Sequence, residues 1–269
     1  MIAPSRSGII AYSEKYRFDE WSFPGRGDHY SDCGSIRFRG CLNVEYHHKA
    51  LDRDQGGKAF VQAYRRSCAR ASCPVCYESW AGLEANKVAF RLSYYVGRWH
   101  RPIHVSANPD PSLWGLPFKK LRSLSYRALK RVGIVGGSVI YHPFRQDKAK
   151  EWFFSPHFHC VGYGYHSGKY YKGWVVKNHG VRKSVQGTVL YQLSHAGVHP
   201  SFHTITWFGD LSYNKLRSPV LVEEKPKCPL CGAELVRLIF VGEGRVPPPD
   251  VGNYFLDSGD WMAVYGRWV

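Results

Sequence analysis

The sequence predicts an α+β protein: an antiparallel sheet with helices packed on it, carrying zinc-binding appendages. Three observations lead there. Periodic segments between Arg101 and Phe208 follow the order strand, helix, strand, strand, helix, strand. The two middle strands are joined only by the polar stretch RQDKAKE, which makes a hairpin the economical connection. Cysteines cluster on both sides of this region with metal-ligand spacing.

The elements read as follows. Residues 33–76 hold five cysteines and suggest a compact metal-stapled module. A helix is expected from Tyr77 to Tyr95, where Trp80, Leu83, Val88, Leu92 and Tyr95 approximate helical spacing. RPIHVSAN, residues 101–108, reads as a short strand that turns at Asn108-Pro109. A second helix starts at Pro117 and stops at Gly133. Phe118, Leu121, Ala128 and Val132 form its apolar side, and Lys119, Lys120, Arg122, Arg127, Lys130 and Arg131 make the rest basic. That basic side suits DNA contact or a solvated outer face equally. Gly136–Phe144 and Trp152–Gly164 are the hairpin strands, and a Gly-, Lys- and Tyr-rich loop follows to Lys183. A third helix runs from Ser184 to Ala196, then His203–Phe208 is a strand, and the tail closes in an irregular aromatic segment. The expected divisions are 1–96 (zinc module and helix), 97–209 (the central strand and helix core) and 210–269 (zinc-knuckle segment).

Composition narrows the partners. The 269 residues carry 37 Lys and Arg against 21 Asp and Glu, a formal charge of +16. A polyanion is the simplest counterpart. With 18 Tyr and 9 Trp in the chain, single-stranded nucleic acid fits best, because its bases stack on rings while its phosphates meet cations. There is no apolar run of about 18 residues, and the N-terminal stretch is too polar for a secretory signal. The expectation is a soluble, cytoplasmic protein with no membrane partner.

Chemistry concentrates in Pro156-His157-Phe158-His159-Cys160. Residues two apart in a strand share a face, so His157 and His159 present two imidazoles to one side. Neutral imidazoles chelate divalent cations. His142, on the preceding strand, is the candidate third ligand. Tyr191 and His195, four apart on the third helix, share the side opposite Val189, Leu193 and Ala196, and a basic neighbour or a metal would activate the phenol. Cys68, Cys73 and Cys76 form C-x4-C-x2-C, with Cys41 as the expected fourth zinc ligand and Cys33 its rival. Cys228 and Cys231 supply half of a second tetrahedron, completed from upstream by two of His199, His203 and Cys33. Disulfides are the competing use of these cysteines. Cys160 reads as a small buried residue.

SPHFHCVGYG resembles the HUH motif of rolling-circle replication initiator proteins. CPVCYESWAGLEANK, YHPFR and LYQLSHAGV…HTITWFGDLSYNKL are similar to the archaeal plasmid and viral members of that group, and IHVSANP at 103–109 takes the place of the motif that precedes HUH. The resemblance covers roughly residues 33–240. It implies an HUH endonuclease fold on an RRM-like core, a catalytic Mn²⁺ or Mg²⁺ on the histidines, and Tyr191 as nucleophile. Family members often carry Y-x-x-K; this chain has Tyr191-Gln-Leu-Ser-His195, and Tyr163, Tyr165, Tyr170 and Tyr171 remain competitors. The implied activity is nicking and rejoining of single-stranded DNA at a replication origin through a 5′-phosphotyrosine. No G-x-x-x-x-G-K-[ST] stretch occurs, so a host helicase and polymerase are the expected partners. A plasmid relaxase, a single-tyrosine transposase and a non-catalytic zinc-ribbon nucleic-acid-binding protein are the alternatives.

Overall fold

The computed structural model describes residues 20–47, 49–50, 53–219 and 225–264. The polar N-terminal stretch read above against a secretory signal lies outside them, except Glu20. The strands are β1 (Ile36–Cys41), β2 (Lys49–Ala50), β3 (Arg53–Asp54), β4 (Lys58–Arg65), β5 (Ile103–Pro109), β6 (Ile134–Gln146), β7 (Trp152–Gly164), β8 (Tyr170–Tyr171), β9 (Trp174–Val181), β10 (Ile205–Gly209), β11 (Val236–Phe240), β12 (Gly252–Asp257) and β13 (Trp261–Val264). The α-helices among the described residues are α1 (Tyr77–Ser93), α2 (Phe118–Arg131) and α3 (Val185–Leu193). None of them is long and apolar enough to cross a membrane.

The chain divides into two compact units, and the division differs from the three segments expected. The first unit contains residues 20–29 and 69–219; the second contains 30–68 and 225–264. Helix α1 therefore belongs with the central core, and the cysteine-rich N-terminal strands belong with the C-terminal segment.

The first unit is built on a six-stranded antiparallel sheet in the order β10-β6-β7-β5-β9-β8. The hairpin β6–β7 is as the sequence predicts, and it sits centrally. Gly162 passes close to Gly136 and Gly137, where an added Cβ would collide with backbone, so these glycines permit the close approach of the two strands. Alternation sends the two sides of each strand to different cores. Val105, Ala107, Val139, Tyr141, Phe158 and Cys160 pack under Leu121, Ala128 and Leu129 of α2. Ile140, Val161 and Tyr163 pack under Trp80, Val88 and Leu92 of α1 and Val189 and Leu193 of α3. Ser184 caps α3 by accepting a hydrogen bond from the Gly187 amide at 3.0 Å.

Several predicted bounds shift by two or three residues, and two differences go further. The strand at 101–108 continues through Pro109, whose register partner is Trp174. The stretch expected as a loop up to Lys183 contains β8 and β9, and of the residues of β9 only Trp174 and Val176 are buried. Up to Val264 the tail is likewise not irregular; residues 265–269 of the expected aromatic segment lie outside the described residues. In the second unit a five-stranded antiparallel sheet has the order β12-β4-β1-β11-β13, so the C-terminal strands flank β1 and β4. Its core face holds Phe38, Ala59, Val61, Leu238 and Trp261.

Candidate metal centres

The sheet face under α1 and α3 gathers six histidines. His142 and His157 are direct register partners on β6 and β7, and His159 pairs with Ser106 on β5. One ring nitrogen from each of His142, His157 and His159 lies within 4.8 Å of the other two. These are the three histidines the sequence singled out. The pleat puts them on one side, while Phe158 and Cys160 go to the α2 core.

His142 is completely buried, and among the described residues neither of its ring nitrogens has a hydrogen-bond partner. Its ring lies 4.5 Å from those of His159 and His195 and 5.2 Å from that of His157. An unsatisfied buried imidazole costs about 1–3 kcal/mol. Convergence on a cation removes that cost, so the donor set fits a divalent ion. Burial, reinforced by the neighbouring imidazoles, holds His142 and His159 well below the usual histidine range. Burial, with the Arg145 guanidinium beside it, pushes His157 down to about 3. Burial lowers His195 to about 4. All four rings are neutral at pH 7, the form that ligates metal.

Hydrogen bonds orient two of the ligands. The Nδ1 of His157 lies 2.8 Å from the Ser155 carbonyl, which can only accept, so Nδ1 carries the proton and Nε2 keeps its lone pair. The Arg145 Nε also approaches that Nδ1, at 3.4 Å, but one nitrogen cannot both donate and accept; the shorter carbonyl contact decides. Arg145 is anchored in turn by donating to the Asn108 side chain. The Nδ1 of His159 lies 2.8 Å from the Nε2 of His104 on β5. His104 stacks on His179 of β9 at 4.4 Å, and His179 contacts the Ser106 hydroxyl at 2.9 Å. His104, His159 and His179 form a second convergent set on the same face.

Helix α3 brings Tyr191 and His195 to this cluster, their rings 5.0 Å apart. Tyr191 is 71% exposed, whereas Val189 and Leu193 are buried, as the helical spacing required. Gln192, beside it in sequence, is buried, and neither of its amide atoms is bonded among the described residues. Of the competing tyrosines, Tyr163 is buried and donates to the Leu92 carbonyl, and Tyr171 packs toward the α2 side. Tyr165 and Tyr170 are exposed, and the Tyr170 hydroxyl accepts from the Gly173 amide. The basic side of α2, with Lys119, Lys120, Arg122, Arg127, Lys130 and Arg131, belongs to the helix on the opposite face of the sheet and is not brought to the histidines.

The cysteine pairing needs correction. Cys41 does not complete the C-x4-C-x2-C set; it stands with His47, Cys228 and Cys231. Of the remaining cysteines of that motif and its rival, Cys33 and Cys68 fall in the second unit and Cys73 and Cys76 in the first. His199 and His203 are not ligands of the Cys228–Cys231 knuckle; His199 packs against Trp21 and Phe202 in the first unit. The set of Cys41, His47, Cys228 and Cys231, all in the second unit, could hold a metal such as zinc. Cys160 is fully buried in the α2 core, as expected.

Sequence spacing missed His104, His179, Arg145, Asn108 and His47. His104, Ser106 and Asn108 alternate along β5, and that period was the available signal. No family model, curated protein or solved structure matches the chain.

Proposed function

We propose that the chain nicks and rejoins single-stranded DNA, with Tyr191 as nucleophile and His142, His157 and His159 as ligands of a divalent cation. The observation that carries this reading is His142: completely buried, unpartnered at both nitrogens among the described residues, and ringed by His157, His159 and His195, with Tyr191 one helical turn beyond. A bound Mn²⁺ or Mg²⁺ would supply Lewis-acid polarisation of a phosphate oxygen there.

The chain's own residues do the rest. Tyr191 is exposed enough for a strand to reach its oxygen. That oxygen forms a bond to phosphorus as the bond to the 3′ oxygen breaks. The phenolic proton leaves, the departing 3′ oxygen takes up a proton, and the 5′-phosphotyrosine preserves the diester so that the step reverses without ATP. His195 is adjacent, but burial makes it a weak base, so the proton leaves to water at the exposed Tyr191 hydroxyl. Arg145, Lys177 and Arg182 surround the histidines with positive charge, which favours a phosphate backbone. Initiation of rolling-circle replication, with helicase and polymerase supplied by a host, is the cellular setting this chemistry serves.

The test uses single-stranded circular DNA and the full chain. A metal-dependent, SDS-resistant protein–DNA adduct that is absent in Tyr191→Phe supports the reading. Tight binding without any adduct at any divalent metal leaves a nucleic-acid-binding protein instead.

A further inference from the structure

We infer that Cys41, His47, Cys228 and Cys231 hold a structural Zn²⁺ that joins the two sequence-distant halves of the second unit. The four residues lie on two segments far apart in the chain. Cys41 ends β1 and His47 follows a short 3-10 turn, while Cys228 and Cys231 flank a tight knuckle just before β11. All four ligand atoms lie within 4.8 Å of one another.

The spacing matches a zinc tetrahedron. Bonds of about 2.3 Å to sulfur and about 2.0–2.1 Å to nitrogen give edges of about 3.8 Å between sulfurs and about 3.6 Å between sulfur and nitrogen. The Cys41 and Cys231 sulfurs are 3.6 Å apart, and the Cys228 sulfur is 3.4 Å from the His47 Nε2. A disulfide needs about 2.05 Å. The His47 tautomer is also set for ligation. Its Nδ1 lies 2.7 Å from the Lys58 carbonyl, which can only accept, so Nδ1 bears the proton and Nε2 offers its lone pair to the cluster. The ring is completely buried, so that lone pair has no access to solvent.

The knuckle is shaped to hold thiolates. The Gly232 amide donates to the Cys228 carbonyl at 2.9 Å, and Gly232 takes φ +75°, a conformation that side chains disfavour. Backbone amides of Leu230 and Cys231 bond the Cys228 sulfur, and that of Asn43 bonds the Cys41 sulfur. Three sulfurs and one imidazole suit Zn²⁺ rather than Mn²⁺ or Mg²⁺, and four protein ligands close the tetrahedron. Phe60, Leu235 and Phe255 surround the cluster, so it replaces part of a hydrophobic core in a small unit. The site is independent of DNA cleavage.

The experiment counts zinc in the purified full chain, then in Cys228→Ser and His47→Cys. Cys228→Ser should lose one zinc per chain relative to wild type. His47→Cys should keep its zinc, and after cobalt exchange should gain the charge-transfer absorbance of one more thiolate. Peptide mapping of wild type covers the case in which Cys228→Ser fails to fold. Half-exposed Cys231 should resist iodoacetamide in the loaded protein and react once zinc is chelated. Unchanged zinc in Cys228→Ser, ready alkylation of Cys231 in the loaded protein, or a Cys41–Cys231 disulfide would each overturn the assignment.

Discussion

The histidine cluster of the first unit and the Cys41–His47–Cys228–Cys231 set of the second differ in ligand type, in coordination left over and in surroundings. Three neutral imidazoles leave a divalent cation its full charge and room for further ligands. Three thiolates and an imidazole more than neutralise it and leave no position open. The charge of the chain is divided in the same sense. The sequence segments of the first unit hold 25 Lys and Arg against 10 Asp and Glu, and those of the second hold 12 against 11. Nearly all of the excess positive charge therefore lies in the unit that carries the open cluster. On the proposed reading, a phosphodiester would be drawn to the first cluster and would find no open position at the second.

The largest effect expected is at Tyr191. Tyr191→Phe keeps the ring and removes the attacking oxygen, so the covalent adduct should fall by at least about 10³-fold while DNA binding persists. His142→Ala or His157→Ala should also stop cleavage, yet excess Mn²⁺ should restore part of it, because lost affinity can be offset by concentration. Excess Mn²⁺ should restore nothing to Tyr191→Phe. Rescue of the phenylalanine variant would move the nucleophile to Tyr165 or Tyr170, the exposed competitors.

The next contrast is proton release. Burial pushes the Cys41 thiol up to about 12 and also raises Cys228, so both enter a zinc site by losing protons. With at least two protons displaced, zinc affinity in the second unit should drop by about 10² for each pH unit lowered from 8 to 6. The histidines behave oppositely. Their values are depressed, to about 3 for His157, so they are already neutral and nothing competes until pH falls well below about 6.5, the ordinary histidine value. Mn²⁺ affinity should stay flat over the same range. The same depression makes the metal-free first unit lose stability as pH falls below about 6.5, because only the unfolded chain then binds protons. Calorimetry in buffers of different ionisation enthalpy separates the two sites.

His104 sharpens the comparison on the ligand side. Its Nε2 can accept the Nδ1 proton of His159 and so leave the His159 Nε2 free, as the Lys58 carbonyl does for His47. His104→Ala should weaken Mn²⁺ binding about 10–100-fold, the usual cost of losing such a partner. His104→Gln, which retains an acceptor, should recover part of it with an unchanged melting temperature. Two Mn²⁺ per chain, one of them lost in His104→Ala, would instead mean that His104, His159 and His179 form a site of their own.

Much of the first cluster was legible because its signals are local. His157 and His159 obey the period of a strand, Tyr191 and His195 that of a helix, and the short polar link fixed the hairpin that carries His142. The second cluster was illegible for the opposite reason. Cys41 is close in sequence to Cys68, Cys73 and Cys76, but the pairing of β1 with β11, Gly40 opposite Val236, carries it to a knuckle almost two hundred residues away. His47 has no spacing relation to any cysteine. Strand β9 was hidden by the glycines and lysines around it; only Trp174 and Val176 of its residues are buried, too few to show a period against the exposed residues between them.

The smallest effects concern which cations meet the strand. Lys177 pairs in register with Ser106 and so lies on the histidine face, and Arg182 hydrogen-bonds the His179 carbonyl. Each should contact phosphate if DNA crosses that face, so Lys177→Gln and Arg182→Gln should each lower the slope of log affinity against log salt by about 1 and cost a few-fold in affinity. Arg127, Lys130 and Arg131 are as basic, but α2 covers the other side of the sheet. Replacing all three with Gln should leave both the slope and the cleavage rate near wild type at matched occupancy. Titrations of a fluorescent single-stranded oligonucleotide at several salt concentrations compare the two sets directly. A flattened slope for the α2 variant would mean that the strand wraps both faces, and charge near the open cluster would then no longer explain how DNA is positioned.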